Sequence, residues 1–328
     1  MASPEPHAGP GSLLVDCAAG TIGGVAGIIT GAPLDVVKTR VQNAAQPLRM
    51  RDAIRTILRQ EGVGAFFKGT LAAAISQIPN NAIVFGAWAA GRRGAATMDL
   101  AGRLGVRHDA EAREAIHVFA AGSFSGTLQS LALGPFEHVK IQQQMYGSTR
   151  AHGARAHLTL TACTRAILAA GGPRLIFRGT AATLLRDGPV YGAYFLSYEY
   201  GKHWLALRAA GADGARELAA GRVLTNERVP VPAWAMLVSG ALAGVLSWVL
   251  ALPVDVVKSQ IQAAPVGAPA GSTRIGHVTR RLYHEGGLPI FFRGLVPCLV
   301  RAAPVNAVTF LGFEWAHGLI TRHVTAAS

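Results

Sequence analysis

The sequence predicts an all-α membrane protein: six transmembrane helices in three tandem, pseudo-symmetric repeats, each a helix, a short amphipathic connection and a second helix. Three observations predict it. Charged residues make up only 15 % of the 328 positions, against about 25 % in soluble domains. Six long stretches carry almost none of that charge. A polar motif closes every second stretch, with the same internal spacing each time.

Residues 1–11 are rich in Pro, Gly and Ala, with neither a secretory signal nor an Arg-rich amphipathic presequence, and are expected to be a disordered tail. The first span, 17–34, has no charge, and the second, 69–91, has none either. The third, 116–136, carries only His117, and the fifth, 234–254, again none. The fourth and sixth, 179–198 and 294–313, are equally apolar except for Arg186, Asp187 and Arg301. Each is long enough to cross about 30 Å of hydrocarbon, which takes roughly 20 apolar residues. Gly20/Gly24, Gly23/Gly27, Gly122/Gly126 and Gly240/Gly244 strip side chains from one face of spans one, three and five, so neighbours can approach closely. The chain divides into repeat 1 at 12–98, repeat 2 at 112–207, a linker at 208–232 and repeat 3 at 233–320.

The motif reads Pro33-Leu34-Asp35-Val36-Val37-Lys38, Pro135-Phe136-Glu137-His138-Val139-Lys140 and Pro253-Val254-Asp255-Val256-Val257-Lys258. A glutamine follows each, as Gln42, Gln144 and Gln262. Downstream stand Phe67-Lys68-Gly69, Phe177-Arg178-Gly179 and Phe292-Arg293-Gly294, and ten residues beyond each glycine another proline: Pro79, Pro189 and Pro304. A proline within an apolar helix removes a backbone hydrogen bond and kinks it. Charges at the buried end of a spanning helix must face inward and find partners. With three copies in a ring, the expected pairs are Asp35–Lys140, Glu137–Lys258 and Asp255–Lys38.

These residues resemble the mitochondrial carrier family, inner-membrane solute exchangers, over about residues 12–320. The resemblance rests on the threefold PxD/ExxK motif with its glutamine, and on the aromatic-base-Gly element. It implies localisation in the mitochondrial inner membrane as a multi-pass protein, matrix-face short helices and alternating access. It implies a matrix gate of Asp35, Lys38, Glu137, Lys140, Asp255 and Lys258, braced by Gln42, Gln144 and Gln262. The lipid partner expected at Gly69, Gly179 and Gly294 is cardiolipin, and the expected working form is a monomer. The second basic position of the motif is Arg40 in repeat 1 but Gln142 and Gln260 elsewhere, and the acid-Gly element is Glu61-Gly62, Gly171-Gly172 and, one residue displaced, Glu285-Gly286. That coincidence predicts an Arg40–Glu61 link. On the even helices an aromatic-acid-x-x-base pattern, Tyr198-Glu199 with Lys202, Phe313-Glu314 with His317 and Trp88-Ala89 with Arg92, implies an outer gate of Arg92, Glu199, Lys202 and Glu314, weaker than the matrix gate.

A residue repeated three times serves the scaffold, whereas one that breaks the repeat can serve an asymmetric ligand. Three residues before the even-helix prolines stand Ser76, Arg186 and Arg301, followed by Gln77, Asp187 and Ala302. The family places its substrate contacts there. Arginine offers a bidentate fork for carboxylate, and Asp187 suits an ammonium group. Adjacent residues on a helix point about 100° apart, which argues against an Arg186–Asp187 self-pair. Asn80 stands where ornithine-type carriers have Glu, and Trp248 where the carnitine carrier has a cavity tryptophan able to hold a quaternary ammonium. The implied function is exchange of a zwitterionic or cationic amino-acid-like metabolite, such as carnitine, acylcarnitine or a methylated basic amino acid. An ornithine, lysine or arginine carrier is the alternative, and a proton-leak uncoupler or transport-inactive adaptor is the alternative of another class.

Other chemistry has no foothold in the sequence. No paired histidine spacing, Walker loop or nucleophile elbow is present, so no catalytic or metal-binding residue and no cofactor is assigned. Cys17, Cys163 and Cys298 are far apart, which fits a reducing setting and small buried side chains. The net charge of +13 lacks a basic stripe interleaved with aromatics, so nucleic acid is not an expected partner. Arg51–Arg59, Arg150–Arg155 and Arg274–Arg281 place much of it in connections, which in the orientation that the resemblance implies lie on the matrix side, as the positive-inside rule expects.

Overall fold

The computed structural model describes residues 10–44, 48–106, 108–145, 159–225 and 229–327, some of them, including Cys17 and Glu314, by backbone alone. Six long helices dominate: α1 (Pro10–Asn43), α3 (Thr70–Thr97), α5 (Ala110–Met145), α7 (Thr180–Ala209), α9 (Ala233–Ala263) and α11 (Leu295–Ala327). Short helices α2 (Met50–Gln60), α6 (Leu160–Ile176) and α10 (Ile275–Gly286) follow α1, α5 and α9. A single turn, α4 (Leu100–Arg103), and α8 (Gly211–Ala219) complete the set, with no strand among the described residues. The tail expected over 1–11 lies outside the described residues as far as position 9, and Pro10 and Gly11 already belong to α1. Arg150–Arg155 lies outside them too.

The shortest long helix, α3, has 28 residues and is about 42 Å long at 1.5 Å per residue. By length and apolarity alone, three segments among the described residues qualify as spans: Ala18–Asn43, Trp234–Ala263 and Leu288–Thr321. Helices α3, α5 and α7 match them in length but are more polar, with residues such as Gln77, Asn80, Arg186 and Asp187 in their middles. Leu237, Leu242, Val245, Leu246, Val249 and Leu250 lie exposed along α9, an apolar surface suited to lipid. All six helices run on through an internal proline: Pro33, Pro79, Pro135, Pro189, Pro253 and Pro304.

The chain forms two compact units. The signature unit comprises Pro4–Ala82, Leu131–Thr183 and Leu252–Ser328. Its apolar core is three small clusters, one per repeat, in which the end of an odd helix packs on the short helix after it: Val36, Val37 and Val41 with Ala53 and Ile57; Val139 with Cys163 and Ile167; Val256, Val257 and Ile261 with Val278 and Leu282. Each short helix buries an i, i+4 pair and leaves its charged face outside. Gly23 and Gly27 let α11 approach α1, since a Cβ at either would collide with Thr309.

The aromatic unit comprises Ile83–Ser130 and Leu184–Ala251, with Met1–Ser3 outside the described residues. Gly122 and Gly126 bring α5 against Tyr191, Gly192 and the Asp187 backbone of α7. The third glycine pair is different: Gly240 touches Tyr198 only loosely, and open space faces Gly244. Trp88 stacks on Phe195 with centroids 4.1 Å apart, and Tyr194 stacks on Tyr198. The segment read as a linker, 208–232, contains α8, and the Glu111 carboxylate accepts the backbone N–H groups of Leu224 at 2.6 Å and Thr225 at 3.2 Å.

Candidate functional site: an ion-pair ring and charges within apolar helices

The ring comes first, in the signature unit. Each motif proline is followed by helix, so its acid and lysine, at i and i+3, share a face of the odd helix. Lys140 Nζ lies 2.6 Å from Asp35 Oδ2, Lys38 Nζ 2.6 Å from Asp255 Oδ2, and Lys258 Nζ 2.5 Å from Glu137 Oε2. Every acid thus meets the lysine of another repeat. The pairs are unequal: Lys258 and Asp255 are almost fully buried, whereas a third of the Glu137 side chain is open. Asp35 takes a second cation, with Arg301 Nε 3.3 Å from its other oxygen. Gly31, one turn before Asp35, leaves room for that guanidinium, since a Cβ there would lie 3.1 Å from Arg301 Nη1.

The three glutamines behave unequally. Gln42 Nε2 donates to Asp255 Oδ2 at 3.0 Å, so it braces the Lys38 pair. Gln144 Oε1 instead accepts from the Thr39 hydroxyl at 2.7 Å. Gln262 is fully buried, and both its side-chain polar atoms lack a hydrogen-bond partner among the described residues. Among the described residues only Gln42 meets an acid of the ring, and Gln144 turns to Thr39, which stands where the other repeats place Ile141 and Ser259. The residue two before each glutamine carries a threefold pattern that the sequence reading left unassigned: Arg40 Nε donates to Gln144 O, Gln142 Nε2 to Gln262 O, and Gln260 Nε2 to Gln42 O, at 2.9, 2.6 and 2.8 Å.

Arg40 also forks onto Glu61, at 2.9 and 3.1 Å, and Lys68 Nζ lies 2.5 Å from the same carboxylate. All three side chains are buried. In repeat 3 the backbone shifts the register read from sequence. Gly62, Gly172 and Gly287 share a left-handed conformation, φ 82°, 65° and 61°, and each precedes its aromatic-base-Gly glycine by the same interval. The position equivalent to Glu61 is thus Gly286, so Glu285 is not a displaced copy; it pairs at 3.5 Å with Arg281. The glycines Gly69, Gly179 and Gly294 repeat the same logic. Their φ values are 80°, 85° and 90°, and a Cβ would lie 2.9 Å from Lys140 O, 2.6 Å from Gln262 Cγ and 3.1 Å from Gln42 Cγ respectively. Arg178 and Arg293 donate to carbonyls of the next repeat, Ala264 and Pro265 for one and Ala44 for the other; burial lowers the Arg178 pKa.

The substrate candidates fall in both units. In the signature unit, Ser76 donates to Ala73 O on its own helix, Gln77 packs against Gly24 of α1, Asn80 is half-buried, and Arg301 reaches Asp35. In the aromatic unit, Arg186 Nε lies 2.5 Å from Asp187 Oδ1. The argument against a self-pair fails because the long arginine stem bends across the 100° between neighbouring Cα–Cβ directions. Asp187 is buried, and its other oxygen accepts from the Ser130 hydroxyl at 2.7 Å. Trp248 is half-buried, while Val245, Leu246, Val249 and Leu250 around it are exposed.

Of the outer residues, Lys202 stays with Glu199 on its own helix at 2.8 Å, with His203 3.7 Å from the same carboxylate. Arg92, whose repeat has Ala89 in place of an acid, pairs with Glu114 of α5 at 2.5 Å and lies over the Trp88 ring. The Glu314 side chain lies outside the described set. Sequence reasoning missed Ser130, Thr39 and Glu114. Ser130 was findable: five residues before the odd-helix prolines stand Ile28, Ser130 and Trp248, three unlike residues at one repeat position.

Comparison with known proteins agrees with this geometry. The model of the mitochondrial carrier protein family matches residues 9–96, 111–208 and 229–324, one match per repeat. The mitochondrial glycine transporter YMC1 of Saccharomyces cerevisiae is 31 % identical over 310 residues, covering 94 % of this chain and 92 % of that protein. The human mitochondrial carnitine/acylcarnitine carrier protein is 31 % identical over 317 residues, 94 % of each chain. Mitochondrial magnesium exporter 1 of Drosophila melanogaster is 30 % identical over 310 residues, covering 92 % and 93 %. With three motif copies on six long helices and a match to the family in every repeat, the chain belongs to the mitochondrial carrier family, multi-pass transporters of the mitochondrial inner membrane.

Proposed function

We propose that this carrier exchanges a zwitterionic, amino-acid-like metabolite across the inner membrane by alternating access, with a carnitine-like or N-methylated amino acid as its preferred class. The observation that carries the reading is the buried Arg186–Asp187 pair inside an otherwise apolar helix. Charges at that depth are costly, and those that occur there are as a rule paired and functional. A self-pair is also an internal stand-in for a zwitterion: the substrate's carboxylate takes the guanidinium, its ammonium takes the carboxylate, and no charge is left uncompensated. Carnitine and glycine, carried by relatives according to their names, both have that charge pattern.

The ion-pair ring is the matrix gate in this reading, and Arg301, beside Asp35, is a proposed substrate contact. A ligand carboxylate that draws Arg301 away removes one of two cations from Asp35 and weakens the ring at that corner. Ser76, Gln77, Asn80 and Trp248 complete the proposed contacts. Arg92, Glu199, Lys202 and Glu314 form the proposed outer gate. The amides at the starts of α3, α7 and α11, next to Gly69, Gly179 and Gly294, suit the phosphates of cardiolipin, and the carrier works as a monomer.

The test is counter-exchange in liposomes loaded with labelled carnitine, trimethyl-lysine, lysine, arginine, ornithine or glycine. Uptake of at least one zwitterion, lowered about 100-fold in Arg301→Ala and Asp187→Asn, is expected. Absence of exchange for all six removes the substrate class. Full transport by Asp187→Asn removes the ammonium-binding role.

A further inference from the structure

We propose that Ser130 determines which kind of ammonium group Asp187 receives, favouring one without N–H donors, a trimethylammonium, over a primary ammonium. The inference rests on the reading of Asp187 given above. Ser130 is 2 % exposed and Asp187 4 %. The Ser130 hydroxyl donates to Asp187 Oδ2 at 2.7 Å, and Arg186 Nε donates to Oδ1 at 2.5 Å. A substrate carboxylate that takes Arg186 frees Oδ1, but the Ser130 hydroxyl keeps its place on Oδ2 and so removes one of the acceptor sites of Asp187. A primary ammonium brings three N–H groups that each need an acceptor once out of water. With Ser130 on Oδ2, a primary ammonium finds fewer acceptors at Asp187 than it would without that hydroxyl. A trimethylammonium has no N–H to satisfy, and needs only the net charge of the carboxylate and apolar surroundings.

The contact depends on close helix approach. A serine side chain is short, and its oxygen reaches Asp187 because Gly122 and Gly126, two turns and one turn before it on the same face of α5, admit the α7 backbone. A Cβ at Gly122 would lie 2.7 Å from Tyr191 O, and one at Gly126 would collide with Asp187 O. The scaffold itself does not call for serine, since the same repeat position is Ile28 in the first copy and Trp248 in the third.

The experiment compares kcat/KM for trimethyl-lysine and lysine in proteoliposomes of wild type, Ser130→Ala and Ser130→Thr. Ser130→Ala is expected to shift the ratio about fivefold toward lysine, and Ser130→Thr, which keeps the hydroxyl, to hold it within about twofold. A purely structural role would lower both rates together and leave the ratio unchanged, which overturns the proposal. If Ser130→Ala does not fold, Ser130→Cys replaces it; an intermediate ratio supports the proposal and a wild-type ratio overturns it. Wild type that carries neither compound overturns the Asp187 reading, and this inference with it.

Discussion

Gln42 and Gln262 occupy the same repeat position and do opposite things. Gln42 holds an ionised carboxylate, and hydrogen bonds to charged groups contribute about 1.5–3 kcal/mol. Gln262 buries an amide whose two polar atoms meet no partner among the described residues, a cost rather than a gain. Gln42→Leu is therefore expected to lower the melting temperature of the detergent-purified carrier by several degrees, and Gln262→Leu to leave it unchanged or raise it. Equal losses in both would contradict the unequal bracing. Cys163, buried on α6 outside the membrane spans, has its thiol pushed up to about 11 by burial. The neutral form is the folded form, so the stability it supports is complete below the unfolded pKa of about 8.5 and is lost as pH rises through 11. Maleimide labelling of native protein should therefore spare Cys163 at pH 7 and rise only above about pH 9; rapid labelling at neutral pH would show the site to be open.

At the scale of elements, the link from α1 to the start of α3 runs through Glu61, which neutralises two buried cations. Removing one partner of a buried pair typically costs about 3–5 kcal/mol. Glu61→Gln should destabilise the carrier by that order in thermal unfolding, while Glu285→Gln, half-exposed beside Arg281, should change it by less than about 0.5 kcal/mol. Similar effects at the two positions would restore Glu285 as the repeat-3 counterpart of Glu61. The positive-φ glycines make the same kind of distinction. An alanine at Gly179 must adopt a backbone conformation costing about 1–3 kcal/mol and also meets Gln262. Gly86→Ala, mid-helix and facing open space, should be neutral or stabilising by up to about 1 kcal/mol. Comparable melting temperatures for the two variants would count against the close approach at Gly179.

At the scale of the molecule, the ring is three-cornered but not threefold in strength. The Lys38–Asp255 corner is buried and braced, the Asp35 corner shares its acid with Arg301, and the Glu137 corner is partly open. Asp255→Asn should therefore impair transport and folding more than Glu137→Gln, by about tenfold in transport rate at matched protein levels. The reverse order would mean that the strength of the ring is not set by the geometry of its corners.

The sequence by itself determined the all-α architecture, the three repeats and which charges belong to a ring. These follow from periodicity and from the cost of burying charge in an apolar span, both of which are local properties of the chain. Tertiary structure decided how each polar group is satisfied. Only packing shows that Gln144 turns to Thr39, that Arg40 shares Glu61 with Lys68, and that Arg186 folds back on Asp187 beside Ser130. Hydrogen-bond partners depend on which helix faces approach, and that approach is set by glycines far away in sequence. Scarcity of charge announced the membrane; the placement of the few charges, pair by pair, is what the fold supplied.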